Sequence, residues 1–336
     1  MHASLSPIRH APGPLTARVL DEQPIDVASA LRLAQQLGAS APSPGDGSTL
    51  DLWEALATLA AHDLGAARAI EPHLDAVAIL NQARAEASGS AWGVFAAEGG
   101  SDPLVASASG DGWLLSGTKP WCSLADRLDA ALITAADDTG VRRLFAVDLH
   151  DSGVHPQPGT WVARGLSEIP SGPVSFDRVP AAAIGEPGWY LTRAGFAWGG
   201  IGVAACWWGG AVGVARTLYD AVASKPEPLL LAQLGAVDEL LESARRALAE
   251  AVELVDGPEA AEIDGKVLAK RVRGTVARSC EEILLRAGHA LGPAPLALDD
   301  AHAKRVADLQ LYLRQHHAER DDASLGSALV GSGRPW

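Results

Sequence analysis

The sequence predicts an α+β protein in which a sheet-rich middle part separates two helical parts. Three observations carry this expectation. Apolar residues recur at helical spacing between Ile25 and Gln82, and again beyond Gly188. From Trp92 to Pro180 they fall instead into short runs divided by turn residues. No helical pattern interrupts those runs, so the strands are expected to pair antiparallel. The order implies an N-terminal helical domain over 1–90, a central antiparallel β-barrel over 91–188 and a C-terminal helical bundle over 189–336.

In the first part, Val27, Leu31, Leu33, Ala34 and Leu37 mark one helix, with Gly38 as its stop. Pro42, Pro44, Gly45 and Gly47 make 39–48 a loop. A second helix follows on Leu52, Leu56, Leu59, Ala60 and Leu64, and a third is expected over Leu74 to Ala85, after Pro72. In the middle part, Gly110-Asp111-Gly112 is a strong hairpin signal, and Asp137-Asp138-Thr139-Gly140 reads as another. In the last part, Leu234, Val237, Leu240, Leu241, Ala244, Leu248, Val252 and Val255 mark one long buried face. Glu239, Glu242, Arg245, Arg246 and Glu250 mark its wet side. Helices are expected from Ile263 to Ala290 and from Asp300 to Leu329.

Composition narrows the function. With 41 acidic against 27 basic residues the formal charge is −14. Such a surface repels phosphate, which argues against general binding of nucleic acid or anionic membrane. A mean hydropathy of +0.08 and 48% hydrophobic residues exclude wholesale disorder. Cys122, Cys206 and Cys280 are too few and too scattered for a disulfide framework. Met1 to Thr16 holds three prolines and no continuous apolar stretch, so it does not read as a signal peptide, and a cytoplasmic protein is expected. The 22 residues from Ala194 to Ala215 carry no charge, which is long enough to span a bilayer. They are mostly Gly and Ala with no Leu, so a buried central helix is the expectation.

Several motifs fail on context. Gly200-Ile201-Gly202-Val203-Ala204-Ala205 matches a dinucleotide-binding fingerprint, but no strand precedes it. There is no HExxH, no CxxC and no Gly-x-Ser-x-Gly elbow. His316-His317 with Glu319 makes a poor metal site on a helix, where adjacent side chains diverge, and no metal is expected. Lys266, Lys270 and Arg273 read as a solvated helical face.

The informative stretch runs from Glu98 to Asp126. Gly99-Gly100-Ser101-Asp102 precedes the hairpin; Ser116-Gly117-Thr118-Lys119-Pro120-Trp121-Cys122-Ser123 follows it, and Ala125-Asp126 closes it. Downstream come Phe145-Ala146-Val147, Gly153-Val154, Gly165-Leu166-Ser167, Val174 to Pro180 and Gly185-Glu186-Pro187-Gly188. This ordered series resembles the acyl-CoA dehydrogenase family. The resemblance implies a helical domain, a β-barrel and a four-helix bundle. It also implies an FAD-dependent oxidoreductase acting on CH–CH groups of an acyl thioester or similar small-molecule substrate, assembled as a homodimer or homotetramer. Trp121 would then wall the isoalloxazine, Ser123 would supply a hydroxyl or backbone N–H to its O4/N5 edge, Cys122 between them would also bind the cofactor, and Ser101 would reach the pyrophosphate or the substrate. Trp198, Trp207 and Trp208 either supply contact area for assembly or fill the chain's own core.

The departures matter as much. The family's carboxylate base is expected eight residues after Asp308, where His316 stands, and Trp198-Gly199-Gly200 at the alternative location holds no carboxylate either. His316 or His317 is therefore the candidate base, since an imidazole titrates near neutrality. A histidine there also suits a flavin-dependent monooxygenase of the same fold. The family's Arg-x-x-Phe-Gly segment is absent; Ser224 to Leu229 offers only Lys225. Phe95 to Glu98 replaces the usual threonine contacts, so FAD binding is expected to be weakened, shifted to FMN or lost. Loss of cofactor would leave a non-catalytic scaffold as the third reading.

Overall fold

A computed structural model describes residues 1–8, 10–86, 90–110 and 112–333. Four helices form the first part: α1 (Pro14–Asp21), α2 (Val27–Gly38), α3 (Thr49–His62) and α4 (Leu64–Ala83). Asp26 caps α2 by accepting from Ser29 N. Asp63 divides α3 from α4 and caps the latter, so the expected third helix starts ahead of Pro72 and not after it. Pro72 sits inside α4. The helix survives because packing of its buried face, from Leu64 to Leu80, outweighs the lost backbone bond.

Seven strands follow: β1 (Trp92–Phe95), β2 (Val105–Ser109), β3 (Gly112–Lys119), β4 (Ala130–Asp137), β5 (Arg142–Asp148), β6 (Val154–Pro156) and β7 (Val174–Ile184). β2, β3, β7, β5 and β4 close into a ring, since β4 pairs with β5 on one side and β2 on the other. The barrel is not purely antiparallel, as β4 pairs parallel with both β1 and β2. The connection over 120–129 causes this, carrying the chain across to a new neighbour where a hairpin would have turned it back. β2 and β3 do pair as the expected hairpin, although Asp111 of its turn lies outside the described residues. In the β4–β5 turn, Asp137 Oδ1 accepts from Thr139 N and Val141 N, and Gly140 takes φ 80°.

Phe95, Leu115, Ile133, Phe145 and Val179 fill the barrel. Lys119 is buried with them. Its ammonium is held by Glu98 at 3.0 Å, Thr134 O at 2.6 Å and Thr134 Oγ1 at 2.9 Å. A second apolar cluster joins barrel to helix, with Ala76, Ile79 and Leu80 of α4 packing on Trp92, Leu132 and Ile184.

The last part contains α5 (Trp189–Thr192), α6 (Ala194–Ser224), α7 (Pro228–Val255), α8 (Gly265–Leu291), α9 (Pro293–Leu298), α10 (Asp300–Tyr312) and α11 (Glu319–Ser332). α6 runs through the middle, and 78% of its most apolar window is buried inside the protein. Its glycines permit close contact: a Cβ on Gly209 would lie 2.2 Å from Ala57 O of α3. The fingerprint Gly200 to Ala205 is interior helix. Trp198, Trp207 and Trp208 are buried within the single chain, so they fill its own core. Two charges expected on wet faces turn inward. Arg245 donates to Leu5 O at 2.6 Å and Arg273 to Gly200 O at 2.6 Å. The expected last helix is broken: α10 ends in a 3₁₀ turn, Leu313–Gln315, His316 is extended, and Ala318 takes φ 45° before α11.

Asp308 joins the last helices to the barrel. Its Oδ1 accepts from Leu166 N at 2.5 Å and its Oδ2 from Lys304 Nζ at 2.6 Å. The landmark from which His316 was counted is therefore a structural clamp. All three cysteines are free and buried.

Candidate functional site

The turn leaving β3 is wound tightly. Trp121 and Leu124 take φ 60° and 58°, and Cys122 N and Leu124 N donate to Gly172 O and Pro170 O at 3.0 and 2.8 Å. These bonds fix alternate side chains in opposite directions. Cys122 points into the barrel, its thiol donating to Lys119 O at 3.3 Å, and burial pushes its pKa up to about 12. With its N–H also engaged, Cys122 offers a ligand neither thiolate nor backbone donor. Trp121 points outward, 61% exposed, edge-on to Trp161 with ring centroids 6.4 Å apart. Ser123 is buried, its hydroxyl 2.7 Å from Ser171 Oγ and 2.9 Å from Arg68 Nη2.

Arg68 leads into a polar cluster between the barrel rim and the helices. Its guanidinium lies over the Tyr312 ring at 5.7 Å, and Tyr312 stands edge-on to Trp207 at 6.3 Å. Trp207 is edge-on to His316 at 6.4 Å, and the Arg273 guanidinium covers it at 4.6 Å. Arg273 also donates to Gln315 O at 3.1 Å, which holds the break after α10 in place. Glu71, one turn on from Arg68, is buried beside it, and burial pushes its pKa up to about 7 against the pull of Arg68. Asp75 continues the same face of α4, 3.7 Å from Arg193.

Four polar atoms in this cluster are buried with no hydrogen-bond partner: Arg68 Nη1, Trp207 Nε1, Tyr312 Oη and His316 Nε2. A buried polar group without a partner costs about 1–3 kcal/mol, so the four together offer unused hydrogen-bonding capacity to a ligand or to ordered water. His316 Nε2 is 3.9 Å from Asp321 Oδ2, beyond hydrogen-bond range, and burial lowers the pKa of the ring.

The residues expected from sequence separate accordingly. Ser123 and His316 border the cluster, and Trp121 stands next to Ser123 on the rim. His317 faces outward, its side chain 60% exposed, because the chain is extended at His316 and adjacent residues diverge. Ser101 lies on the exposed loop before β2, which Asp102 O pins to Thr118 N at 3.0 Å. Arg68, Glu71 and Tyr312 escaped sequence reading, and Arg273, expected on a solvated face, turns into the cluster. A signal existed in α4, since Arg68, Glu71 and Asp75 are charges at helical spacing within an otherwise apolar run.

No protein-family model and no curated protein matches this chain. Solved structures do match over nearly the whole length. KijD3, in complex with FMN and dTDP-3-amino-2,3,6-trideoxy-4-keto-3-methyl-D-glucose, superposes with TM-score 0.79 at 20% identity, over 98% of this chain and 96% of that one. TdsC from Paenibacillus sp. A11-2, with FMN and indole, gives 0.78 at 16% identity, over 92% and 90%. A steroid ACAD variant gives 0.74 at 20% identity, over 95% and 96%. The chain has the acyl-CoA dehydrogenase fold, shared by flavoproteins of more than one chemistry.

Proposed function

We propose that this chain is a flavoprotein oxidoreductase that takes FMN at the barrel rim, beside Trp121 and Ser123 and backed by the polar cluster, and works as an oxygen-dependent monooxygenase. The observation that carries the proposal is the set of four orphaned polar atoms in the cluster that Arg68 joins to Ser123, with a histidine among them. The residues present fit a flavin: an outward indole for the ring face, a buried hydroxyl for its edge and an arginine behind that hydroxyl. Reduced flavin supplies the electrons that oxygen activation requires. Trp121 would wall the ring of a bound flavin and Ser123 would orient its edge. His316, largely neutral because of its burial, accepts or returns a proton at Nε2. Trp207 and Tyr312 keep bulk water out.

The chain favours FMN over FAD. At the positions of the family's outer contacts, Phe95 is barrel core and Glu98 is paired with Lys119. Lys225 is paired with Glu227 at 2.7 Å. KijD3 and TdsC are both recorded with FMN, and TdsC is described as a dibenzothiophene monooxygenase.

Glu71 supports a second reading, acyl-CoA dehydrogenation, because it places a carboxylate with a pKa near neutrality inside the same cluster. The test is a flavin titration followed by two assays. Stoichiometric FMN binding and substrate-dependent oxygen uptake with reduced flavin are expected. Anaerobic bleaching by an acyl-CoA would transfer the assignment to the second reading, and protein that takes up no flavin would remove both. Assembly as a homodimer or homotetramer is proposed through the exposed Leu229, Leu231, Leu296 and Leu298 of α7 and α9. Sedimentation at micromolar concentration checks it.

A further inference from the structure

The N-terminal segment crosses three helices as a strap. Met1 O accepts from Arg216 of α6 at 3.0 Å, and Ala3 N donates to Thr58 Oγ1 of α3 at 3.1 Å. Leu5 is fully buried, with its carbonyl on Arg245 of α7. Under the strap lies Glu54 of α3, 1% exposed. Its Oε1 accepts from Leu5 N at 2.7 Å and Ser4 Oγ at 3.0 Å. Its Oε2 meets His2 Nε2 at 3.0 Å and His10 Nε2 at 3.1 Å. Among the described residues no lysine or arginine pairs with this buried carboxylate, and the two imidazoles stand edge-on with centroids 5.4 Å apart.

We propose that His2, His10 and Glu54 form a site for one divalent transition-metal ion, zinc foremost, that fastens the strap to α3. The three ligand atoms all lie within 4.8 Å of one another. Nitrogen and oxygen ligands about 2.0–2.1 Å from a tetrahedral zinc stand about 3.3 Å apart. Distances of 3.0 and 3.1 Å from the carboxylate oxygen are therefore a few tenths of an ångström from a ligated geometry. Two imidazoles with one carboxylate are a borderline donor set that suits zinc and not calcium or magnesium. The bonds from Leu5 N and Ser4 Oγ engage Oε1 and so turn Oε2 toward the histidines. His10 is one-third exposed, leaving a path for the ion and a position for water. The other grouping of this kind among the described residues, Asp63, Glu168 and Asp308, already holds a cation, the Lys304 ammonium at 3.3, 2.7 and 2.6 Å.

The test uses the full-length chain without an affinity tag, stripped with EDTA and dialysed. Titration with Zn²⁺ should show one equivalent bound with micromolar or tighter affinity, and Co²⁺ should give the visible absorption of a tetrahedral site. His10→Ala, at the exposed edge, should weaken Zn²⁺ binding at least tenfold while the circular dichroism spectrum stays unchanged. Glu54→Gln should do the same if it folds. Zinc should raise the thermal midpoint of the natural chain and not of His10→Ala. Absence of stoichiometric zinc, or unchanged binding in both His10→Ala and His2→Ala, would overturn the site. None of these readouts depends on flavin.

Discussion

Arg68 Nη2 donates to Ser123 Oγ at 2.9 Å, linking α4 to the turn that leaves β3 across 55 residues of sequence. The bond makes the barrel rim and the polar cluster one site. Arg68→Met should therefore release Ser123 and remove the countercharge of Glu71 together. A loss of FMN affinity of about 1.5–3 kcal/mol, roughly tenfold or more, is expected from a charge-assisted bond. Quenching of flavin fluorescence measures it, and unchanged affinity would detach Arg68 from the site.

Trp121→Ala should separate binding from stability. The indole is 61% exposed, so its removal should change unfolding stability by no more than about 0.5 kcal/mol. Loss of a stacking surface should weaken flavin binding by about 1 kcal/mol or more, roughly fivefold. Paired urea melts and flavin titrations check both halves.

Asp308→Ala should act on stability. It leaves Leu166 N without its acceptor and takes a carboxylate from Lys304, at a cost of about 2–3 kcal/mol. Asp308→Asn keeps an acceptor for Leu166 N and should cost less. Urea denaturation of the pair tests the order.

Two buried groups give stability opposite pH slopes. Glu71 is raised from 4.5 to about 7, so the folded state holds its proton more tightly. Its contribution is full below pH 4.5 and is lost as pH rises to 7, about 3 kcal/mol in all. His73 is lowered from 6.5 to about 4 by burial, and its Nδ1 accepts from Trp92 N. Its contribution is full above pH 6.5 and is lost as pH falls to 4. Glu71→Gln should therefore remove the decline toward neutrality and expose the acid-side loss. An identical pH profile in the variant would contradict the assignment.

Gly209→Ala should destabilise by about 1–3 kcal/mol, since the added Cβ would meet Ala57 O at 2.2 Å and force α3 and α6 apart. A neutral thermal melt would mean that the two helices do not approach this closely.

Legibility in the sequence was uneven for identifiable reasons. Hydrophobic period follows from backbone geometry, so the alternation of helical and strand regions could be read directly, as could the hairpin turns. Pro72 suggested a helix start that packing overrode, and uniform helical composition after Asp300 hid the break that gives His316 its place. Trp121 and Ser123 were readable because they lie in a continuous motif. The partners of Ser123 were not, since Arg68 and Ser171 stand 55 and 48 positions away from it. Separations of 52 and 44 positions likewise hid His2 and His10 from Glu54.

By itself the sequence determined local matters: which segments coil, which extend, where turns fall, and that the glycine and alanine of α6 suit a closely packed helix. Only the tertiary structure decided which charges turn inward, that the strands close with two parallel pairings, and that one indole faces out while its neighbouring hydroxyl is met by an arginine. The reason is physical. Periodicity is set by each residue's own backbone, whereas the energy of a buried charge or an unpartnered donor depends on groups that only folding brings within a few ångströms.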